Sequence, residues 1–277
     1  MKIVNLIENT EGNEKCTPAH GLSFYIETKK HKLLVDSGPS ELTVQNADAL
    51  GIELREVDTV ILSHGHYDHS GGLLSFCERN PRARIYMQKC AAGEYYAYDG
   101  KDSGYHYIGI APEISNLSQV FFVNGDYRID EELSLFIVDE RKVEIPSTNL
   151  RLMELVDGQF VQDSFRHEQC LVIQEGAQNI LFSGCAHNGI LNIMECFKKK
   201  YGIVPDMVIS GFHLMRKRDY TEEEIREVEA LAEKLKLYDT RFFTCHCTGT
   251  AAYEIMKGIM REKLTYIHSG ETVEQKT

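Results

Sequence analysis

The sequence predicts a mixed α/β protein in which two β-sheets are covered by helices. Short apolar runs bounded by turn residues crowd the first half of the chain, at 2–7, 22–28, 32–35, 57–62 and 84–87. From about residue 170 onward, strand-like runs alternate with segments of helical periodicity. Histidines recur just after strands, where loops converge and helix N-termini point outward in α/β sheets. That order fits two helix-covered sheets within a single domain, 1–277.

The bulk properties narrow the function classes. A chain of 277 residues with 43% hydrophobic and 26% charged residues is ordinary for a globular protein with a sizeable core. A formal net charge of -12 argues against nucleic-acid binding and against anionic membranes, because it implies no extended basic surface. A local basic pocket for an anionic substrate stays compatible with it. The apolar run at the N-terminus is shorter than a signal-peptide core, and no stretch reaches the length of a membrane span. Eight irregularly spaced cysteines with no C-x-x-C pair read as reduced thiols. The expectation is a cytoplasmic protein acting on a small molecule, with no nucleic-acid or membrane partner and with homo-oligomerisation left open.

In order, residues 22–28 and 32–35 form a hairpin around Lys29-Lys30-His31, and Asp36-Ser37-Gly38 ends the second strand. Asp36 is either a plain turn residue or a brace for the next loop. Ser40 is positioned to cap a helix that ends near Gly51. Strand 57–62 leads into a His-rich loop, a helix through Phe76 stops before Asn80-Pro81, and 84–87 is the next strand. Residues of about 90–118 are rich in Tyr and Gly without a clean period. They read as a substrate-facing flap, with local packing as the plain alternative. Strands follow at 120–123, 133–138, 170–173 and 179–183. Ile190, Ile193, Met194 and Phe197 share a helix face, 207–210 is a strand, and Thr221 with Glu224 opens a helix by a capping box. Strand 242–244 precedes a helix whose Ala252, Ile255, Met256 and Ile259 read as core.

The chemistry concentrates after strand 57–62. Residues 63–73 read Ser-His-Gly-His-Tyr-Asp-His-Ser-Gly-Gly-Leu, with three of the 11 histidines and one carboxylate inside six positions. Imidazole is the commonest zinc ligand, and Asp adds an oxygen. A tight loop would let His64 and His66 face one way and Asp68 and His69 another, so that one loop serves two metals. Gly71-Gly72 allows positive φ and close packing behind it. Three later strands also end in a small or polar residue followed by His, at Cys185-Ala186-His187, Gly211-Phe212-His213 and Cys245-His246-Cys247.

These motifs resemble one family. The H-x-H-x-D-H stretch at 64–69, following a strand, Asp36-Ser37-Gly38 and a helix, is similar to the metallo-β-lactamase superfamily over most of the chain. Together with His20-Gly21-Leu22-Ser23, 183–190, 211–214 and 245–249, it resembles the branch of metal-dependent hydrolases. That branch includes archaeal synthases joining a dihydropterin-methyl group to ribofuranosylaminobenzene 5′-phosphate in methanopterin biosynthesis. The resemblance implies a four-layer αββα sandwich holding one or two divalent metals, with Zn first and Mn, Fe or Mg as alternatives.

Carried over residue by residue, it implies that His64 and His66 bind a first metal and that Asp68, His69 and His246 bind a second. Where relatives place a bridging Asp after a strand, this chain has Cys185. Either His187 completes the first site with Cys185 beside or bridging the metals, or Asp163 or His167 completes it; the reading prefers His187. A Cys in place of a hard oxygen ligand alters the second site. Asp68 and His213 take catalytic roles, orienting water and steadying developing charge. His20, Glu168, Tyr105 and Tyr107 face substrate.

The implied activity is hydrolysis of an ester-like or phosphoester bond by metal-activated water. Transfer of a dihydropterin-methyl group from its diphosphate to an arylamine is the alternative, with a phosphorylated or pterin-like substrate. A non-catalytic metal or ligand sensor comes third.

Overall fold

A computed structural model of the protein describes residues 1–273. Strands form where β-branched and aromatic runs meet turn residues. The first half contains β1 (Lys2–Ile7), β2 (Ser23–Glu27), β3 (Lys32–Val35), α1 (Leu42–Ala49), β4 (Thr59–Ile61), α2 (Tyr67–Ser70) and α3 (Leu73–Arg79). It continues through β5 (Arg84–Gln88), β6 (Tyr95–Tyr98), β7 (Tyr105–Tyr107) and β8 (Val120–Val123). Next come β9 (Tyr127–Arg128), β10 (Leu133–Phe136), β11 (Leu152–Val156), β12 (Gln159–Gln162), β13 (Cys170–Glu175) and β14 (Gln178–Ser183). The chain then alternates: α4 (Ile190–Tyr201), β15 (Met207–Ser210), α5 (Glu222–Lys236), β16 (Arg241–Thr244), α6 (Thr250–Met260) and β17 (Leu264–Tyr266).

The chain divides into two compact units. Among the described residues, one comprises 1–127, 150–169 and 267–273; the other comprises 128–149 and 170–266.

In the first unit a six-stranded sheet has the order β1-β2-β3-β4-β5-β8. Strands β1 to β3 are antiparallel, whereas β3, β4, β5 and β8 run parallel. The parallel strands lose the two-residue alternation because both their faces are covered; Leu33, Leu34, Val60, Ile61, Ile85 and Met87 are all buried. The N-cap of α1 is Glu41, one residue later than predicted, yet the Ser40 hydroxyl does accept from the Leu42 N–H at 3.3 Å. Gly71 and Gly72 have ordinary negative φ, so their role is close packing. A Cβ on Gly72 would lie 2.2 Å from the Ser37 carbonyl oxygen.

The Tyr-rich stretch is more regular than a flap. Strands β6 and β7 pair as a hairpin, and β6 pairs with β11, giving an antiparallel sheet of order β12-β11-β6-β7. Tyr95 and Ala97 of β6 point to the buried side. Tyr105 stacks on Phe160 with ring centroids 3.8 Å apart. Strands β11 and β12 lie in a stretch where no strand is predicted from the sequence.

The second unit is built on a seven-stranded sheet, β17-β16-β15-β14-β13-β10-β9. Strands β14 to β17 are parallel, and β13 is antiparallel to β10 and β14. Ile190, Ile193, Met194 and Phe197 of α4, Val228 and Leu235 of α5, and Ala252 and Met256 of α6 share its core. The predicted capping box is present: the Thr221 hydroxyl accepts from the Glu224 N–H while the Glu224 carboxylate accepts from the Thr221 N–H. Such a cap stabilises a helix by about 1 kcal/mol. No helix among the described residues is long and apolar enough to cross a membrane.

Candidate metal centre

In the first unit, β3 and β4 end in register, with Val35 opposite Ile61. Asp36 therefore emerges beside the chain that leaves β4 toward the His-rich loop. Its backbone is at φ 57, a region that non-glycine residues seldom adopt. Its buried carboxylate accepts from the Ser63 N–H at 2.7 Å, from the Ser63 hydroxyl at 2.7 Å and from His69 Nδ1–H at 2.6 Å. Because the Ser63 hydroxyl donates to Asp36, its oxygen accepts from His64 Nδ1–H at 2.9 Å. Both imidazoles are thus held in the tautomer whose Nε2 carries a lone pair, the form a metal needs. The brace reading of Asp36 is the one the geometry supports.

His66 precedes α2, and Asp68 and His69 lie within that short helix. The His64 ring centroid is 4.6 Å from that of His66 and 4.1 Å from that of His69. Asp68 Oδ2 lies 3.8 Å from His69 Nε2 and 3.5 Å from His20 Nε2, whose side chain is about half exposed at 52%. Burial, then the neighbouring His167, push the His66 imidazole down to about 3, while nearby Asp68 and Asp163 act the opposite way. His66 is therefore neutral at neutral pH, the state in which imidazole ligates a metal.

Asp163 and His167 also come to His66, their candidate ligand atoms all lying within 4.8 Å of one another. His167 Nδ1 accepts from the Gly65 N–H at 3.0 Å, so its proton sits on Nε2 and is donated to Asp163 Oδ2 at 3.0 Å. Both nitrogens of His167 are committed, which makes it a positioning residue. Asp163 also accepts from the Phe165 N–H at 2.7 Å. Burial pulls its carboxyl upward, but the contact and hydrogen bond with His167, together with His66 and the Phe165 N–H, outweigh this and hold it below its ordinary value. The Tyr-rich segment also reaches this cluster, through Tyr95. Its ring lies 4.1 Å from that of His167, and its hydroxyl donates to the Cys90 carbonyl at 2.6 Å. Tyr95 was not separable by sequence from its neighbours. The ring contacts of Tyr105 and Tyr107 are to other aromatic side chains of their sheet, and both are exposed. Glu168 is buried in the turn before β13.

In the second unit, the parallel strands β14, β15 and β16 deliver Cys185 and His187, His213 and His246 at their carboxyl ends. Gly211 N–H donates to the Gly184 carbonyl at 2.8 Å, Phe212 N–H to Thr248 Oγ1 at 2.8 Å and Leu214 N–H to the Cys247 carbonyl at 2.9 Å. These bonds tie the three loops together. His187 and His213 have ring centroids 4.3 Å apart. The buried Asn149 grips His187 twice, donating to its carbonyl at 2.8 Å and accepting from its Nδ1 at 2.8 Å. Thr148 holds His213 Nδ1 at 2.9 Å. Neither Asn149 nor Thr148 carries a sequence signal. Both sit in a short turn distant in sequence from the histidines they hold. Cys185 and His246 are buried.

The donor chemistry fits a divalent cation: imidazoles kept neutral or oriented by their second nitrogen, with carboxylate and thiol groups beside them. Five of the seven non-glycine residues at positive φ adjoin these two clusters: Asp36 and Phe165 in the first unit, and Ala186, His213 and His246 in the second. Such conformations cost about 1–3 kcal/mol each and persist where surrounding bonds over-determine them.

The sequence profile of the metallo-beta-lactamase superfamily matches residues 16–234. A Methanocaldococcus jannaschii protein named 7,8-dihydropterin-6-methyl-4-(beta-D-ribofuranosyl)-aminobenzene-5'-phosphate synthase is 29% identical over 287 aligned positions, covering 99% of this chain and 96% of its own. An uncharacterized protein of the same organism is 29% identical over 273 positions, covering 97% of this chain and 98% of its own. The crystal structure of Tm1679, described as a metal-dependent hydrolase of the beta-lactamase superfamily, superposes with a TM-score of 0.81 at 26% identity over the full length of both chains. Zinc-bound PqqB from Methylobacterium extorquens, 15% identical, shares the fold with a TM-score of 0.58 over 99% of this chain and all of its own. The chain belongs to the metallo-β-lactamase superfamily, whose fold its mixed α/β architecture carries.

Proposed function

We propose that the chain is a metal-dependent hydrolase acting on an ester-like or phosphoester bond of a small molecule in the cytoplasm. The network in which Asp36 and Ser63 fix the Nδ1 protons of His69 and His64 carries this reading, because it serves ligation through Nε2 and little else. The proposed ligands are His64, His66, Asp68 and His69, with His187, Cys185 and His246 as the family resemblance implies. A second register gives Asp163 the place of His187 beside His66. The commitment of both His167 nitrogens favours Asp163 over His167 in that register.

When bound, a divalent cation of the zinc type lowers the pKa of water and polarises the scissile group. The chain's own residues supply the rest. Asp68 orients the attacking water and holds its proton. His213, whose Nδ1–H is taken by the Thr148 hydroxyl, steadies the charge that develops on the substrate when its Nε2 is also protonated. His20, beside Asp68 and half exposed, meets the substrate.

A second reading, pterin-methyl transfer to an arylamine, is supported by the full-length relation to the archaeal synthase. Substrate turnover separates the two. Phosphodiester, lactone, thioester and pterin-methyl diphosphate substrates are offered to wild type and to His66→Ala, after metal analysis of protein purified without chelator. The proposal expects about one or more transition metals per chain and hydrolysis that His66→Ala abolishes. Metal well below that stoichiometry refutes it. Consumption of the pterin diphosphate only when an arylamine is present replaces hydrolysis with transfer.

A further inference from the structure

The second unit contains a cavity of about 540 Å³, within the range typical of small-molecule sites. None of the proposed metal ligands lines it. Its apolar walls come from Ile190 and Leu191 at the start of α4, from Phe212, and from Val228 and Leu231 of α5. Facing them is a strap, residues 142–148, that also lines the cavity.

Side chains hold the strap at both ends, one of them from helix α4. Asn192 Oδ1 accepts from the Lys142 and Val143 N–H groups at 2.9 and 3.0 Å, and its Nδ2 donates to the Val143 carbonyl at 2.9 Å. At the other end, Thr148 is bonded to His213. The cavity is thus preformed between two rigid walls, which lowers the ordering cost of binding.

The charges around it define the ligand. Lys142, Arg216 and Lys234 are balanced by Glu144, Glu224 and Glu227. Arg216 is already engaged, with Nη1 3.1 Å from Glu224 Oε1 and Nη2 donating to Ser147 Oγ at 2.7 Å. Both Nη groups of Arg216 are taken and only its buried Nε–H is left over, while three cations facing three carboxylates leave no net charge to draw an anion.

We infer that this cavity binds a small uncharged molecule with an apolar body, and that its occupancy is felt at His213 through Thr148. Burial of apolar surface drives binding, at roughly 25 cal/mol per Å² before ordering costs. The site stands apart from the metal reading and does not depend on it.

Prodan, an uncharged naphthalene ketone whose emission shifts to the blue in apolar surroundings, is the probe. Anilinonaphthalene sulfonate is its anionic comparator. The expected result is saturable prodan binding at least about tenfold tighter than that of the sulfonate. Ala230→Trp, on the exposed rim of α5, and Val143→Trp, on the strap, each fill the cavity and are expected to weaken prodan about tenfold or more. Phe160→Ser, which removes the exposed aromatic stack of the first unit, is expected to leave prodan affinity within about twofold. The imidazole ¹⁵N resonances of His213 move on saturation in wild type and stay still in Thr148→Val. Absence of saturable binding, equal affinity for the sulfonate, indifference to both Trp variants, or loss in Phe160→Ser overturns the site. Binding that leaves His213 unmoved in wild type overturns the coupling.

Discussion

Replacing Asp36 by Asn keeps the shape of the side chain and inverts the chemistry of one of its two heads. Oδ1 still accepts from the Ser63 N–H, but the position of Oδ2 becomes an NH₂ group facing two donors, the Ser63 hydroxyl and His69 Nδ1–H. Two charge-assisted hydrogen bonds are lost in a fully buried site, each contributing about 1.5–3 kcal/mol. Their combined loss is expected to destabilise the metal-free protein by about 3–6 kcal/mol, less what the tautomer change recovers. That recovery has a specific form. His69 can move its proton to Nε2 and accept from the new amide with Nδ1. Nε2 is then blocked as a ligand, so metal affinity is expected to fall about 10–100-fold, the range for loss of such an orienting group. Urea unfolding of the metal-free protein reads the first effect, and competition with a chromogenic chelator reads the second. Long-range ¹H–¹⁵N correlation on the imidazoles reads the tautomer directly. Asp36→Asn with an unfolding free energy within about 0.5 kcal/mol of wild type and undiminished metal affinity would refute the reasoning, since charge-assisted hydrogen bonds of this strength cannot vanish unnoticed from a buried carboxylate.

Two further outcomes follow from the same physics. In the metal-free protein His66 is neutral down to about 3, whereas in the unfolded chain it binds a proton below its usual 6.5. Between those values the unfolded state holds one more proton, so stability falls as pH drops, by about 1.4 kcal/mol per pH unit from this group. Unfolding free energies from urea titrations at pH 4 to 6 for wild type and His66→Gln should diverge with that slope, and parallel curves would remove the assignment. Gly72→Ala places a Cβ 2.2 Å from the Ser37 and 2.6 Å from the Ser40 carbonyl oxygens, both backbone atoms that cannot rotate away. It should cost about 1–3 kcal/mol, and a melting temperature unchanged from wild type would show that the loop relaxes freely.

The strand and helix order, the His-rich loop and the three later strand ends were legible in the sequence because each is a local pattern: an apolar run, a capping box, a ligand cluster within six residues. The family resemblance added the fold, which the comparisons bear out. Strands β6, β7, β11 and β12 were not legible as a sheet. They are short and rich in Tyr and polar residues, and the two local hairpins β6–β7 and β11–β12 are joined only by a pairing more than fifty residues apart, as in Met153 opposite Tyr96. The same reason hides the residues that orient the histidines. Asn149 holds an imidazole thirty-eight positions away, and the proton on His167 is placed by the Gly65 N–H at a separation of 102.

What the sequence alone determined was which residues can bind a metal. Tertiary structure decided which nitrogen His69, His64 and His187 offer, through the carboxylate of Asp36, the hydroxyl of Ser63 and the amide of Asn149. Ligand identity is a property of the side chain. Ligand orientation is a property of the hydrogen bond on its far side, and that bond is made by whatever the fold brings there.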